Sequence, residues 1–244
     1  MSEDAAPKPM THGAAFDSHA DDYEVQLMRG LNVSGEPKEF FAHGRIEFLR
    51  RWWQRKGRPE PLRIIDYGCG IGDVTALLAQ VFPAAQVEGF DPSPRCVERA
   101  SARYASDRVR FELLRGFEAR GPNPADLVHL NGVVHHVPPA DRPHLFRAVA
   151  ASVAPGGVVA LFENNPLNPG THIVMARIAF DRDAIKVPPW EASRRLRVAH
   201  LNPVATGYLF YFPRSLRAFR PLERWLSRLP LGAQYGVIAI RSPA

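Results

Sequence analysis

Apolar residues recur at helical spacing through residues 22–56, in "DDYEVQLMRGL" and again in "KEFFAHGRIEFLRRWWQRK". Past that point short apolar runs alternate with amphipathic stretches. "LRIIDYG" predicts a buried strand and "DVTALLAQVF" a helix; "AQVEGFD" predicts a second strand and "PRCVERASARYA" a helix with Pro94 in its first turn. "RVRFELLRG" and "ADLVHLNGVV" predict two more strands, "ADRPHLFRAVAASV" a helix, and "GGVVALFE" a fifth strand. Strands separated by helices of this length imply a parallel sheet covered on both faces. After Glu163 the rhythm changes. Residues 166–205 are rich in Pro, Asn and Arg, with helical patterning around "HIVMARIAF". "GYLFYF" then predicts a strand, "SLRAFRPLERWLSRL" a helix kinked near Pro221, and "QYGVIAIR" a last strand.

Composition narrows the class without naming a ligand. With 244 residues, 45% of them hydrophobic, the chain is long enough for one domain with a full core. No apolar run approaches the ~20 residues of a spanning helix. The opening "MSEDAAPKPMTHGAA" lacks a basic start followed by an apolar core, so residues 1–15 read as a flexible tail rather than a secretory signal. Cys69 and Cys96 are too few for a disulfide framework and lack zinc-ligand spacing, which suggests a reducing cytoplasm. The net charge of +6 would suit a nucleic acid, but there is no Lys/Arg block. We read the arginines as solvated helix faces.

Ligands of an open parallel sheet sit outside the carboxyl ends of its strands. The loop after the first strand is "DYGCGIG", with Gly68, Gly70 and Gly72 in G-x-G-x-G rather than the G-x-G-x-x-G dinucleotide spacing. Glycine lets main chain turn tightly and approach a ligand. Asp66, just before the first glycine, would repel a pyrophosphate but attract a cation. Asp91, ending the second strand in "VEGFDPSP", can accept both hydroxyls of a ribose. An acid there also suits a nicotinamide dinucleotide. Together the two acids suit a ligand with a ribose and a positive centre, as S-adenosylmethionine has.

"IIDYGCGIGDVT", "VEGFDPSP", "ADLVHLNGVVHHVPPADR" and "VAPGGVVALFENN", in that order over about residues 60–165, resemble the motif set of class I S-adenosylmethionine-dependent methyltransferases. The following "ENNPLNPGTHIVMARIAFDRDA" is similar to a subgroup of bacterial small-molecule methyltransferases. The resemblance implies a Rossmann-like, doubly wound α/β fold: a seven-stranded sheet, mostly parallel with an antiparallel last strand. It implies one domain over residues 16–244, comprising a helical lid (16–58), a cofactor-binding core (59–165), an acceptor-side insert (166–205) and C-terminal strands and helix (206–244). Gly68, Gly70 and Gly72 would pack on the cofactor, with Cys69 and Pro92 in the same loops. Asp66 would hold its amino group and Asp91 its ribose. Asn131 would lie near the methionine part, and the lid would bring Phe16 and Tyr23. At the third strand this chain departs from the family, offering "LLRGFEARG", where Phe117 or Glu118 would meet the adenine. S-adenosylhomocysteine is the implied product.

Three residues are candidate catalysts. His135 or His136 could take a proton from the acceptor, since unperturbed histidine titrates near pH ~6.5; the alternative is two imidazoles bonded to backbone. Glu163 would face the acceptor as base or orienting group, or else cap a turn. His129 is read as a bonded core residue, and Asp73 as favouring a helix N-terminus. His172, Trp190, Arg194, Arg195, Arg197 and His200 in the insert could hold an anionic acceptor; we read them as a solvated face. Leu216, Phe219, Leu222, Trp225, Leu226 and Leu229 form a stripe read as a surface helix packed on the sheet, the alternative being an interfacial membrane helix. The expected reaction is in-line methyl transfer to a small molecule, to oxygen first and nitrogen next, by a monomer or homodimer without a metal. The alternatives are a methyltransferase acting on RNA or protein, and a non-catalytic binding subunit.

Overall fold

Two helices, α1 (Tyr23–Leu31) and α2 (Lys38–Arg55), precede the sheet in the computed structural model, which describes residues 23–115, 123–181 and 184–242. The core then alternates as the periodicity predicts: β1 (Arg63–Tyr67), α3 (Asp73–Val81), β2 (Gln86–Asp91), α4 (Pro94–Tyr104), β3 (Val109–Leu113), β4 (Ala125–Asn131), α5 (Arg142–Ser152) and β5 (Val153–Asn164). Beyond it come α6 (Pro169–Arg177), α7 (Pro189–Val198), β6 (Leu201–Leu209), α8 (Glu223–Leu226) and β7 (Gln234–Arg241). The tail and Phe16, and Phe117 and Glu118 after β3, lie outside the described residues, as does the side chain of Tyr23.

The seven strands run in the order β3-β2-β1-β4-β5-β7-β6. β1 to β5 are parallel, while β7 pairs antiparallel with both β5 and β6. Neither sheet face is solvated, so the inner strands read as unbroken apolar runs. Ile64 joins the cluster under α2 and α3 with Leu49, Trp52 and Leu78; its neighbour Ile65 joins the opposite cluster with Leu145 and Val149 of α5 and Leu196 of α7. Strand order reverses between β1 and β4, and that switch point is where a crevice opens at the carboxyl ends.

Two elements differ from expectation. The strand predicted at "GYLFYF" begins earlier, at Leu201, and stops at Leu209, because Phe210 adopts a left-handed φ of 63° that turns the chain out of the sheet. Pro203 is tolerated because β6 is an edge strand, with a bulge before Ala205. The second difference is the predicted helix around Pro221. Arg214–Leu222 is a 3-10 stretch with non-helical angles at Leu216, followed by the single turn of α8, and neither contains a buried residue. A proline without an N–H and a break at Leu216 prevent a continuous helix, so the apolar stripe does not pack on the sheet.

Candidate active site

The β1–α3 turn is built by positive φ at three glycines: 76° at Gly68, 54° at Gly70 and 86° at Gly72. A Cβ on Gly68 would sit 2.5 Å from the Val133 side chain, whereas one on Gly70 would meet nothing within 4 Å. The first glycine therefore allows close packing against the loop after β4, and the second faces open space. Asp91 fastens this turn from the neighbouring strand. One of its oxygens accepts from Gly70 N (2.8 Å) and the other from Ser93 N (2.9 Å). Asp66 is buried, accepting from Thr75 Oγ1 at 2.7 Å and pairing with His129 Nδ1 at 2.8 Å. Thr75 was missed by the sequence reading, although a hydroxyl on the first turn of a helix beside a strand-end acid was visible there. Cys69 is buried in the same turn. Burial, and then the charges of Asp91 and Asp66, push its thiol well up, so it stays protonated.

A second cluster lies beyond β4 and β5. Glu163, buried at the end of β5, accepts from Val134 N at 2.7 Å and meets His135 Nδ1 at 2.5 Å. The opposite ring nitrogen of His135 lies 3.5 Å from Asp181, and His136 Nε2 lies 3.3 Å from the same carboxylate oxygen. The two imidazoles stack with centroids 4.1 Å apart. Burial lowers the pKa of His135, but the Glu163 charge and the close approach of the Asp181 and Glu163 carboxylates outweigh it and raise the value to about 10. His135 is thus an imidazolium between two carboxylates. His136 goes the other way, lowered by burial and by the His135 charge against the pull of Asp181. Asp181 is held down to about 2 by its two histidine partners, despite burial. Among the described residues, His135, His136 and Asp181 are also the one group with ligand atoms close enough (within 4.8 Å) to hold a metal ion.

Asp181 comes from the insert, in a short 3-10 turn (Ala179–Asp181) after α6, and the sequence reading did not single it out. Its only local signal is an acid in "AFDRDA" just after an amphipathic stretch. A buried arginine locks the same region. Arg142 Nε donates to Val137 O, its Nη2 to Ile185 O at 2.6 Å, and its Nη1 pairs with Glu191 at 3.2 Å. By contrast, Arg194, Arg197, Trp190 and His200 are exposed, and Arg195 is paired with Glu191. His172 is exposed and lies against Pro166 O.

One cavity of about 750 Å³ joins these parts. Asp66, Gly68, Cys69, Gly70, Asp91, Pro92 and Asn131 line it, and so do His135, His136, Glu163 and Asp181. Much of the remaining wall is apolar, with Phe40 and Phe41 of α2, Val174 of α6, Ile178 and the aromatics Phe210 and Phe212. Gly72, also a predicted contact, is not among the lining residues; it holds the turn, its missing Cβ making room for the Phe111 ring. Lys38 and Arg103 reach the cavity but both lie beside Asp73, at 2.5 and 3.8 Å.

Residues 41–217 match the family model described as "Methyltransferase domain". The chain is 37% identical over 161 residues to a trans-aconitate 2-methyltransferase of Variovorax paradoxus, covering 65% of this chain and 59% of that protein. It is 35% identical over 133 residues to one of Methylobacterium radiotolerans, covering 54% of this chain and 47% of that protein. The matches thus span about half of these curated relatives' length. A magnesium protoporphyrin IX methyltransferase from Synechocystis PCC 6803, solved with bound S-adenosylhomocysteine, superposes with a TM-score of 0.64 at 17% identity, over 96% of this chain and 100% of that one. An S-adenosylmethionine-dependent methyltransferase from Mesorhizobium loti gives 0.56 at 19% identity, over 79% and 98%.

Proposed function

The chain belongs to the methyltransferase domain family, and on that premise we propose that it moves the methyl group of S-adenosylmethionine to a hydroxyl oxygen of a largely apolar small molecule. The observation that carries this reading is the continuity of the cavity. The glycine turn with its open face above Gly70, and the Asp91 carboxylate beside it, suit a nucleoside; the phenylalanines of the wall suit an apolar acceptor. Bound there, the cofactor supplies a methyl group already activated by its sulfonium charge. The protein's part is then to align the acceptor, exclude water and receive a proton.

His136 is the residue proposed to receive that proton. Its lowered pKa keeps it neutral at pH 7, and Asp181 orients the ring and stabilises the imidazolium that forms. His135 and Glu163 are proposed as positioning residues. Their mutual ion pair and the Glu163 bond to Val134 N hold the loop that carries His136. Asn131, Asp66, Cys69 and Pro92 are proposed to contact the cofactor, as are Tyr23 and Phe117 by resemblance alone.

The wall also bears on the acceptor's charge. Trans-aconitate, named for the curated relatives, is a tricarboxylate. Here Glu36, Asp66, Asp91, Glu163 and Asp181 line the cavity together with Lys38, Arg45 and Arg103, so its lining carries charges of both signs. The apolar stretches of wall at Phe40, Phe41, Phe210 and Phe212 support a hydroxyl on a largely apolar molecule over a polyanion, with an amine the next choice. The test is turnover of methyl-labelled S-adenosylmethionine against a panel of apolar alcohols, phenols, amines and polycarboxylates, with mass spectrometry of the product. Methylation of the polycarboxylates alone would overturn the acceptor reading.

A further inference from the structure

Residues 214–231, which follow the cavity-lining residues Tyr211, Phe212 and Pro213, form an arm without a single buried residue. Leu216, Phe219, Leu222, Trp225, Leu229 and Leu231 are all exposed, Phe219 by 50%, Leu231 by 59% and Trp225 by 63%. Single exposed apolar residues are ordinary; six within one short segment are not. The arm is no loose loop. Glu223 accepts from the backbone N–H groups of Tyr211 and Phe212, and the Asn165 and Asn168 amides donate to Pro230, Gly232 and Leu231 carbonyls. The Tyr211 hydroxyl meets the carbonyls of Leu226 and Leu229. Polar groups hold the backbone from beneath, so the apolar side chains are left outward.

Charge indicates what meets them. Arg214, Arg217, Arg220, Arg224 and Arg228 interleave with the apolar residues, against one acid, Glu223, already engaged by backbone. Arg217, Arg224 and Arg228 pair with no carboxylate among the described residues, and Arg224 lies 4.0 Å over the Trp225 ring. A second copy docked by two-fold symmetry would set this arginine cluster against itself. An anionic lipid surface complements it: the apolar residues enter the headgroup boundary, tryptophan sits at its preferred depth, and the arginines meet lipid phosphates.

We infer that residues 214–231 dock this protein on anionic lipid bilayers. The arm is tied to the cavity rim, with Arg220 paired to Glu36 at 2.8 Å and lying over the Phe40 ring, so docking brings the cavity mouth to the bilayer. That the acceptor then comes from the lipid phase rests on the methyl-transfer reading; the docking itself does not.

Vesicle flotation without cofactor or acceptor tests it. The full chain should float with vesicles of equal parts phosphatidylglycerol and phosphatidylcholine at low salt, and stay behind with phosphatidylcholine alone. Phe219→Ser with Trp225→Ser should cut the partition coefficient at least tenfold. Replacing Arg217, Arg224 and Arg228 by Gln should cut it on the order of a hundredfold, from about fivefold for each arginine. These side chains are exposed, and unchanged circular dichroism and S-adenosylhomocysteine binding would show that the variants fold. Failure of the parent chain to float with the anionic vesicles overturns the inference, and so does equal flotation of the variants. A concentration-dependent dimer that the serine variant abolishes, in a chain that does not float, would assign the surface to self-association instead. Methyl transfer would stand in each case, because it is read in a separate assay.

Discussion

Replacing Asp181 by Asn removes one negative charge and almost no volume from the point where the insert meets the core. The carboxyl is held at about 2, against an ordinary 3.8. At ~1.4 kcal/mol per pKa unit, its charged form is favoured in the folded state by on the order of 2 kcal/mol. Because the folded value is depressed, this contribution is complete above pH 3.8 and is lost as pH falls through about 2. The variant also leaves the buried imidazolium of His135 with Glu163 as its remaining carboxylate partner, and breaking a buried charge pair costs ~3–5 kcal/mol when the other charge is stranded. Asparagine retains a carbonyl that can still accept from one histidine, so we expect a loss of about 2–4 kcal/mol at pH 7 in urea unfolding. Urea titrations of both chains at pH 7, 5 and 3 measure it. The gap should be full at pH 7 and 5 and narrow at pH 3. Equal midpoints at pH 7, or a gap independent of pH, would show that Asp181 is not an ionised partner of the two histidines. Turnover supplies an independent reading: with His136 no longer oriented, kcat should fall by ~10²-fold while the Kd for S-adenosylhomocysteine stays put.

Other perturbations follow from the same contacts. Asp91→Ala strips the acceptor from Gly70 N and Ser93 N, and should weaken S-adenosylhomocysteine binding by at least ~10-fold in calorimetry, the value of one charge-assisted hydrogen bond; an unchanged Kd would remove it from the nucleoside end. Arg142→Leu should cost ~2–5 kcal/mol in urea unfolding, because the Val137 and Ile185 carbonyls lose their donor while Glu191 keeps Arg195; a loss below ~1 kcal/mol would contradict the lock. In the parent chain kcat should lose activity toward acid only below pH 6.5, the ordinary histidine value from which His136 is lowered, and His136→Ala should abolish that limb. His135 is raised to about 10, so its ion pair is complete below pH 6.5 and lost as pH rises through 10; thermal stability should fall across that window, and His135→Gln should flatten the decline.

The chain's own pattern determined the parts of this protein that depend on short-range chemistry. The β1 run ending in Asp66, three glycines two residues apart and Asp91 closing β2 are local signals, since strand period, positive φ and helix starts are all set within a few residues. The strand at "QYGVIAIR" was legible for the same reason, whereas its antiparallel direction was implied by the family resemblance alone. Tertiary structure alone decided who meets whom across long separations. Thr75 and His129 reach Asp66 over 9 and 63 residues, and His135 meets Glu163 over 28. Asp181 joins the histidines because the insert folds back over the loop after β4, an arrangement that no periodicity encodes. The arm at 214–231 shows the same limit from the other side. Its apolar spacing suits a packed helix, yet Pro221, the break at Leu216 and the polar anchors beneath it turn those side chains to solvent. Periodicity reports which residues are apolar together; whether protein, ligand or lipid covers them is decided by what the rest of the chain places opposite.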